Sequence, residues 1–146
     1  MPTINPLSFN PSKISDREWG YLAGLIDGEG SIVFTAGGQH GLEITNTSAR
    51  MIDFCMRFGG NWYHKQLMQD HHKKAYRWRN FAVIDVNTIL INCLPSIIIK
   101  RRLAELAIEQ INHRLMVARG RARGNTLAWL PPYQSGGASR PSPRLS

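Results

Sequence analysis

The nonapeptide LAGLIDGEG at residues 22–30 limits how this chain can fold more than any other feature of the sequence. It ends an apolar helical segment with two acids, Asp27 and Glu29, although the carboxyl end of a helix disfavours each acid by roughly 0.3 kcal/mol or more. Glycines in the same helix cost about 1 kcal/mol each relative to alanine. The plain alternative is an amphipathic helix that ends at a glycine. A segment that bears both costs is predicted to serve chemistry or close packing.

The residues around this segment predict an α+β domain. Ser15 and Glu18 form a capping box, which indicates the start of a helix that runs to Gly28. Hydrophobic periodicity and turn glycines predict four strands and three further helices in the order αββαββαα, with the strands most simply paired as two antiparallel hairpins. The predicted helices are 16–28, 49–58, 86–94 and 98–115, and the predicted strands are 31–35, 41–47, 61–67 and 75–83.

Size and charge indicate one domain with a polyanionic partner. The chain has 146 residues and a formal net charge of +8. Five arginines and no acid fall in residues 116–146, a Pro/Gly/Ser-rich tail whose end is predicted to be disordered. The tail either binds a nucleic-acid backbone or serves as a solubilising extension. We therefore expect an arm at 1–14, a folded domain at 15–115 and the tail.

The cysteines and the hydropathy pattern indicate a reducing, aqueous compartment. Cys55 and Cys93 lie in apolar stretches without metal-ligand spacing, so we expect two buried, reduced thiols. No apolar run reaches membrane-spanning length, and no secretory signal is recognisable. We expect a soluble, intracellular protein with no membrane partner.

The glycines of the first helix predict contact with a second copy of the chain. Gly20, Gly24 and Gly28 recur every four residues and so lie along one ridge of the helix. A bare ridge permits close approach of another backbone, and the natural partner is the same helix crossing at a two-fold axis. Glu29 and its symmetry mate would then lie close together, an arrangement that favours a Mg²⁺ ion between or beside them.

The nonapeptide, at the head of this element order, resembles the motif of the LAGLIDADG homing endonucleases. The resemblance covers about residues 15–115 and implies the αββαββα fold of that family, with an antiparallel β-saddle that binds DNA and here an extra C-terminal helix. It implies that Glu29 is the metal-binding carboxylate, that the carbonyl of Gly28 completes the ligation, and that Asp27 is mainly structural. The implied dimer interface comprises Gly20, Ala23, Gly24, Asp27 and Gly28.

Three residues outside the motif match further family positions. Asn46, near the end of the second strand, resembles a residue that orders water around the metal. Arg50 resembles a basic residue that contacts the scissile region, and Lys100 resembles a lysine that approaches the cleaved phosphate. Arg101 and Arg102 are rivals for the place of Lys100. The ordinary alternatives are a solvated lysine and an asparagine that serves as a turn or cap residue.

The resemblance also implies that both hairpins lie in the major groove, where base edges can be read. Strand alternation then selects as DNA-facing residues Ser31, Val33, Thr35, Gln39 and Glu43 on the first hairpin, and Trp62, His64, Gln66, Arg77 and Arg79 on the second. The opposite face, predicted to pack on the helices, contains Ile32, Phe34, Ile44 and Tyr63. His71 and His72 are expected to contact phosphate or water rather than a metal.

The leading hypothesis is an intron-encoded, site-specific DNA endonuclease that uses Mg²⁺, with Mn²⁺ as a substitute and Ca²⁺ supporting binding without cleavage. It would act as a homodimer on a long pseudo-palindromic site in double-stranded DNA and leave short 3′ overhangs. The alternatives are an RNA maturase that binds its host intron RNA and a DNA-binding regulator. The presence of Glu29, Asn46 and Lys100 favours cleavage. An organelle (mitochondrion or chloroplast) and the prokaryotic cytoplasm remain equal candidates for the compartment.

Overall fold

The computed structural model describes residues 4–65 and 74–123, with the side chains of Lys65 and of residues 121–123 excepted. Its helices are α1 (Asp16–Glu29), α2 (Ala49–Met56), α3 (Val83–Cys93) and α4 (Arg101–Arg123). Its strands are β1 (Gly30–Phe34), β2 (His40–Asn46), β3 (Asn61–Lys65) and β4 (Ala75–Asn80), and short 3₁₀ helices occupy Pro11–Lys13 and Leu94–Ser96. This order confirms the predicted α+β class. Gln66, His71, His72 and the tail beyond Arg123 lie outside the described residues.

The predicted capping box begins α1. Ser15 Oγ accepts the backbone N–H of Glu18 at 3.1 Å, and Glu18 Oε1 accepts the backbone N–H of Ser15 at 2.9 Å. Two amides that the first helical turn leaves free are satisfied in this way. Local sequence therefore determines where the helix of the nonapeptide starts.

All four strands form one antiparallel sheet in the order β1-β2-β4-β3. The two predicted hairpins are present, and the pairing of β2 with β4 joins them, so that Ile44 lies opposite Trp78 at the centre. Both of these side chains are fully buried. The apolar face of the sheet packs against α1, α2 and α3, and the described part of the chain leaves the opposite face partly exposed.

Two compact units, Met1–Ala107 and Ile108–Ser146, divide the chain within α4. The helix begins later than the predicted residue 98 because the amides just before it bind a side chain of α1. It also continues past the predicted end at Leu115, since the alanines and arginines that follow are strong helix formers. In the second unit, Asn112 Nδ2 donates to the carbonyl of Ile108 at 3.0 Å. No helix within residues 4–65 and 74–123 combines the length and the apolar character needed to span a membrane.

The two cysteines are buried, free thiols, as predicted. Burial raises the pKa of Cys93 to about 12. Burial, together with the negative charge of Glu29, raises the pKa of Cys55 to about 12. Both side chains therefore remain protonated and act as small apolar core residues.

A buried carboxylate fastens the N-terminal arm to the domain. Asp85 accepts the backbone N–H of Ser8 at 2.8 Å, the hydroxyl of Ser8 at 2.5 Å and the amide of Asn80 at 3.1 Å. Next to them Gly59 has a φ of +78°, and a Cβ there would lie 2.3 Å from Ser8 Oγ and 2.6 Å from Asp85 Oδ2. The ring of Phe9 packs against Phe58 at 5.9 Å. The arm is irregular yet held in place.

Replacing Gly59 with alanine is expected to lower the free energy of unfolding by about 1–3 kcal/mol, because the positive φ is strained for any residue with a Cβ and because the methyl group would displace Ser8 or Asp85. Urea denaturation measures this change. The control is Gly37→Ala, where the nearest atom to a Cβ is 4.0 Å away and the expected change is within about 0.5 kcal/mol. Equal effects of the two substitutions would contradict the close contact of Ser8 and Asp85 beside Gly59.

Candidate active site

The end of α1 is fastened to the chain before α4 by the carboxylate of Asp27. Its Oδ2 accepts the backbone N–H groups of Ile98 at 2.7 Å and Ile99 at 3.2 Å, and its Oδ1 accepts that of Lys100 at 3.0 Å. Three amides that precede a helix are thereby paired. Asp27 acts inside the protomer as a structural acid.

These contacts change the acidity of Asp27. Burial acts to raise its pKa, but the hydrogen bonds from the amides of Ile98, Lys100 and Ile99, with the charge of Lys100, outweigh burial and hold the pKa below its ordinary value of 3.8. A lowered folded-state pKa means that the carboxylate stabilises the fold at pH values above the unfolded pKa. That contribution is lost as the pH falls through the folded-state pKa.

Lys100 is brought to the same helix end. Its ammonium Nζ donates to the carbonyl of Asp27 at 2.6 Å, and a cation is favoured at the carboxyl end of a helix. Of its predicted rivals, Arg101 donates to the carbonyl of Leu94 at 2.9 Å and lies 3.5 Å from a carboxylate oxygen of Glu105. Lys100 is therefore the basic residue that the described contacts place at the end of α1.

Glu29 and Asn46 are in direct contact. Asn46 Nδ2 donates to Glu29 Oε2 at 2.5 Å, while Asn46 Oδ1 accepts the backbone N–H of Ser48 at 2.7 Å. Ser48 in turn caps α2, since its hydroxyl oxygen accepts the N–H of Met51 at 3.3 Å. The side-chain amide of Asn46 is thus held by Glu29 on one side and by the N–H of Ser48 on the other. The carboxylate of Glu29 is exposed where α1 meets β1.

The donors at this place fit a hard divalent cation. Glu29 supplies a carboxylate, and the carbonyl of Gly28 lies on the exposed backbone next to it. Among the described residues, no group of three or more His, Cys, Asp or Glu side chains could hold a metal ion. One carboxylate with a backbone carbonyl is the kind of partial site that Mg²⁺ uses when substrate phosphates supply further ligands.

Arg50 lies in the first turn of α2, two residues after Ser48. It lines a shallow groove of about 340 Å³ together with Ser48, Arg17 and Tyr21. The backbone N–H of Ser48 is the group that holds Asn46 Oδ1, so the groove adjoins the contact between Asn46 and Glu29. The described hydrogen bonds bring Glu29, Asn46 and Lys100 to the end of α1, and Arg50 lines the groove beside them.

Two glycines of the α1 ridge, Gly24 and Gly28, are exposed. Among the described residues, a Cβ at Gly24 or Gly28 would meet nothing within 4 Å, and one at Gly20 would touch only Ser96 Oγ at 3.9 Å. Ala23 is fully buried in the core, so its predicted place in a dimer interface is wrong. The helical rotation of about 100° per residue turns Ala23 inward with Leu22, away from the ridge.

Two exposed isoleucines, which the sequence analysis did not select, lie beside the end of α1. Ile98 is 81% exposed and Ile99 is 77% exposed, although their amides are held by Asp27. Ile97, just before them, is buried. The run of three isoleucines before Lys100 could have indicated exposed apolar side chains, because three consecutive residues cannot all point into the core.

Solved structures of homing endonucleases resemble this chain. The homing endonuclease I-CvuI, in complex with its target in the presence of Ca, matches with a TM-score of 0.50 and 17% identity over 90% of this chain and 87% of that one. The archaeal intron-encoded homing endonuclease I-Vdi141I, complexed with DNA, matches with a TM-score of 0.51 and 21% identity over 72% and 71%. The fold is that of the LAGLIDADG homing endonucleases. Neither a family model nor a curated protein matches the chain.

In this homing endonuclease fold, the open face of the sheet is polar. The register runs across it from Ser31 to Glu43, Arg79 and Asn61 in neighbouring strands. Arg79 Nε lies 2.7 Å from Glu43 Oε2, and its guanidinium lies 4.8 Å from the ring centroid of Phe81. The face further contains Val33, Thr45, Tyr63 and Arg77, with Thr35 and Gln39 at the turn between β1 and β2.

The second hairpin differs from the prediction by one residue of alternation. Trp62 lies opposite the buried Trp78 and His64 opposite Tyr76, so their predicted place on the face of Arg77 is wrong. Tyr63, predicted to pack on the helices, is opposite Arg77 and 50% exposed. Because side chains alternate with a period of two, this offset reverses the whole strand.

Replacing Asp27 with asparagine is expected to lower the free energy of unfolding by about 1–3 kcal/mol at neutral pH, because charge-assisted hydrogen bonds to three amides are weakened. The difference from wild type should shrink as the pH falls through and below the ordinary value of 3.8. Urea denaturation between pH 7 and pH 3, read by circular dichroism, measures both effects.

The matched control is Asp53→Asn, an exposed acid on α2, for which a change within about 0.5 kcal/mol is expected. A stability difference for Asp27→Asn that stays constant as the solution is acidified would contradict the role of the charged carboxylate.

Proposed function

We propose that this protein is a site-specific DNA endonuclease that hydrolyses phosphodiester bonds with a divalent metal ion, Mg²⁺ in the first place. The observation that carries the proposal is the contact between Asn46 and the exposed carboxylate of Glu29 at the end of α1, with Lys100 at the same end. Among the homing endonucleases that share the fold, I-CvuI was solved in complex with its target in the presence of Ca, and I-Vdi141I was solved complexed with DNA.

The residues at the end of α1 would divide the work of phosphodiester hydrolysis. Glu29 and the carbonyl of Gly28 would hold the ion, which when bound supplies an activated water and stabilises charge on the phosphate. Asn46, fixed by the N–H of Ser48, keeps the carboxylate in one orientation. Lys100 brings a positive charge to a helix end that would otherwise repel a phosphate.

We propose that the active form is a homodimer. Gly24 and Gly28 leave a ridge on which another helix backbone could lie closely. Ile98 and Ile99 expose apolar side chains at the same end of α1, and such contiguous patches commonly mark interfaces. Each protomer would then bring its own Glu29 to the dimer axis, cut one strand of a pseudo-palindromic site and leave short 3′ overhangs.

The polar face of the sheet is proposed to lie in the major groove. Arg79 is oriented by Glu43 through its Nε and by the ring of Phe81, and a guanidinium pairs well with the O6 and N7 acceptors of guanine. Arg77 lies beside it on the same face of β4, opposite Tyr63 of β3. The corrected register adds Asn61 and Tyr63 to the DNA-facing set in place of Trp62 and His64.

The substitution Glu29→Gln is expected to abolish cleavage while DNA binding persists, because the neutral amide cannot hold the ion. The protein is incubated with DNA that spans the uninterrupted host gene, with Mg²⁺ for cleavage and Ca²⁺ for binding. A loss of at least about 100-fold in rate is expected when several kcal/mol of charge stabilisation are removed. Glu109→Gln, an exposed acid on α4, should cut at the wild-type rate.

If the wild type bound DNA but did not cut it in either Mg²⁺ or Mn²⁺, the proposed nuclease activity would be overturned and a DNA-binding regulator would be favoured. Accelerated splicing of the host intron RNA by a protein that cuts no DNA would favour the maturase.

The substitution Arg79→Ala is expected to relax the sequence preference at one base pair in each half-site by about 1–3 kcal/mol. Binding is measured in Ca²⁺ to duplexes that carry single base-pair changes across the selected site. Arg102→Ala, an exposed arginine on α4, is the control and should leave every preference unchanged. An equal loss of affinity for all duplexes would make Arg79 a phosphate contact instead.

A further inference from the structure

A groove of about 610 Å³ lies where the N-terminal arm meets the polar face of the sheet. Arm residues form one of its walls, and residues of the sheet face form its floor. The side chains that matter here are Asn5 and Pro6 from the arm, Gln39 from the turn after β1, and Asn61, Tyr63 and Arg79 from β3 and β4.

The arm residues that form the wall of the groove are held in place by contacts with the domain. Ser8 is held by two hydrogen bonds to the buried Asp85, and Gly59 leaves the space in which they meet. Phe9 then packs its ring against Trp19 and Phe58. Residues just before Ser8 therefore have a defined position beside the sheet.

The groove lies at the far end of the polar face from Glu29. Strand β1 leaves the catalytic end of α1 at Gly30 and reaches Phe34 next to the turn that contributes Gln39. At about 3.3 Å per residue, the five residues of this strand span roughly 16 Å. That length corresponds to about five base-pair steps of 3.4 Å.

Four carboxamides line the groove, from Asn5, Gln39, Asn61 and Asn80, and that of Asn80 is already bonded to the carbonyl of Phe58 and to Asp85. A carboxamide offers one donor and one acceptor side by side, which matches the N6 and N7 groups of adenine in the major groove. Arg79 lies at the floor, where Glu43 Oε2 is 2.7 Å from its Nε, and its guanidinium carries further N–H donors for acceptor groups on DNA. The chemistry of the groove suits an A·T base pair.

We infer that the N-terminal arm is part of the DNA-reading surface and that Asn5 contacts an A·T base pair at the outer end of each half-site. This inference rests on the proposed DNA-binding function. The arm thereby lengthens the sequence read by each protomer, and Asp85 is a positioning residue that acts through Ser8.

The test selects binding sites from a randomised double-stranded DNA library in Ca²⁺, with the full-length wild type, Asn5→Ala, Ser8→Ala and the control Asn92→Ala. Asn92 is an exposed asparagine on α3, bonded to the carbonyl of Thr88. Asn5→Ala should lose the A·T preference at the outermost positions alone, with a loss of about tenfold in affinity for the wild-type site. Ser8→Ala should weaken the A·T preference at the same positions, because it removes the hydrogen bond from the Ser8 hydroxyl to Asp85 that positions the arm.

A wild type that selects a site, with Asn5→Ala selecting the same outer base pairs as Asn92→Ala, overturns the role of the arm and leaves the proposed endonuclease intact. A wild type that selects no sequence overturns both.

Discussion

The arrangement of the site depends on one interaction, in which the carboxylate of Asp27 receives the backbone amides of Ile98, Ile99 and Lys100. It ties the last turn of α1 to the start of α4, two elements far apart in the sequence. Lys100 is drawn to the helix end that carries Glu29, and its ammonium binds the carbonyl of Asp27. An acid that is unfavourable in an isolated helix becomes, in this setting, the anchor of the site.

The two acids of the nonapeptide have different surroundings and so different capacities. Asp27 has both oxygens occupied by backbone amides, which suits a structural role. Glu29 is exposed and is oriented by the amide of Asn46, which suits a ligand of an exchangeable cation. Open glycines on the same helix offer space for a second backbone. Anchoring by Asp27, the proposed metal binding by Glu29 and the proposed association through the glycines thus fall to different residues of one short segment.

Much of the fold could be predicted because its signals are local. The capping box and the alternation of Ile32 with polar neighbours determine α1 and the first hairpin without distant information. The prediction for the second hairpin was wrong because Trp62 and Tyr63 are both aromatic. Only the pairing of Trp62 with the buried Trp78 shows which of the two lies on the apolar face of the sheet. A small side chain can lie either in the protein core or at a helix–helix interface, so the small size of Ala23 did not reveal that it is buried in the core. The bond between Ser8 and Asp85 joins residues 77 apart and follows from no local pattern.

The central claim is that each protomer brings one Glu29 to cut one strand. Mixed dimers of wild-type and Glu29→Gln chains, purified with two different affinity tags, test it most directly on a supercoiled plasmid that carries the target. These dimers are expected to nick the plasmid and to give open circles without linear product. Linear product from the mixed dimers at the wild-type rate would contradict it.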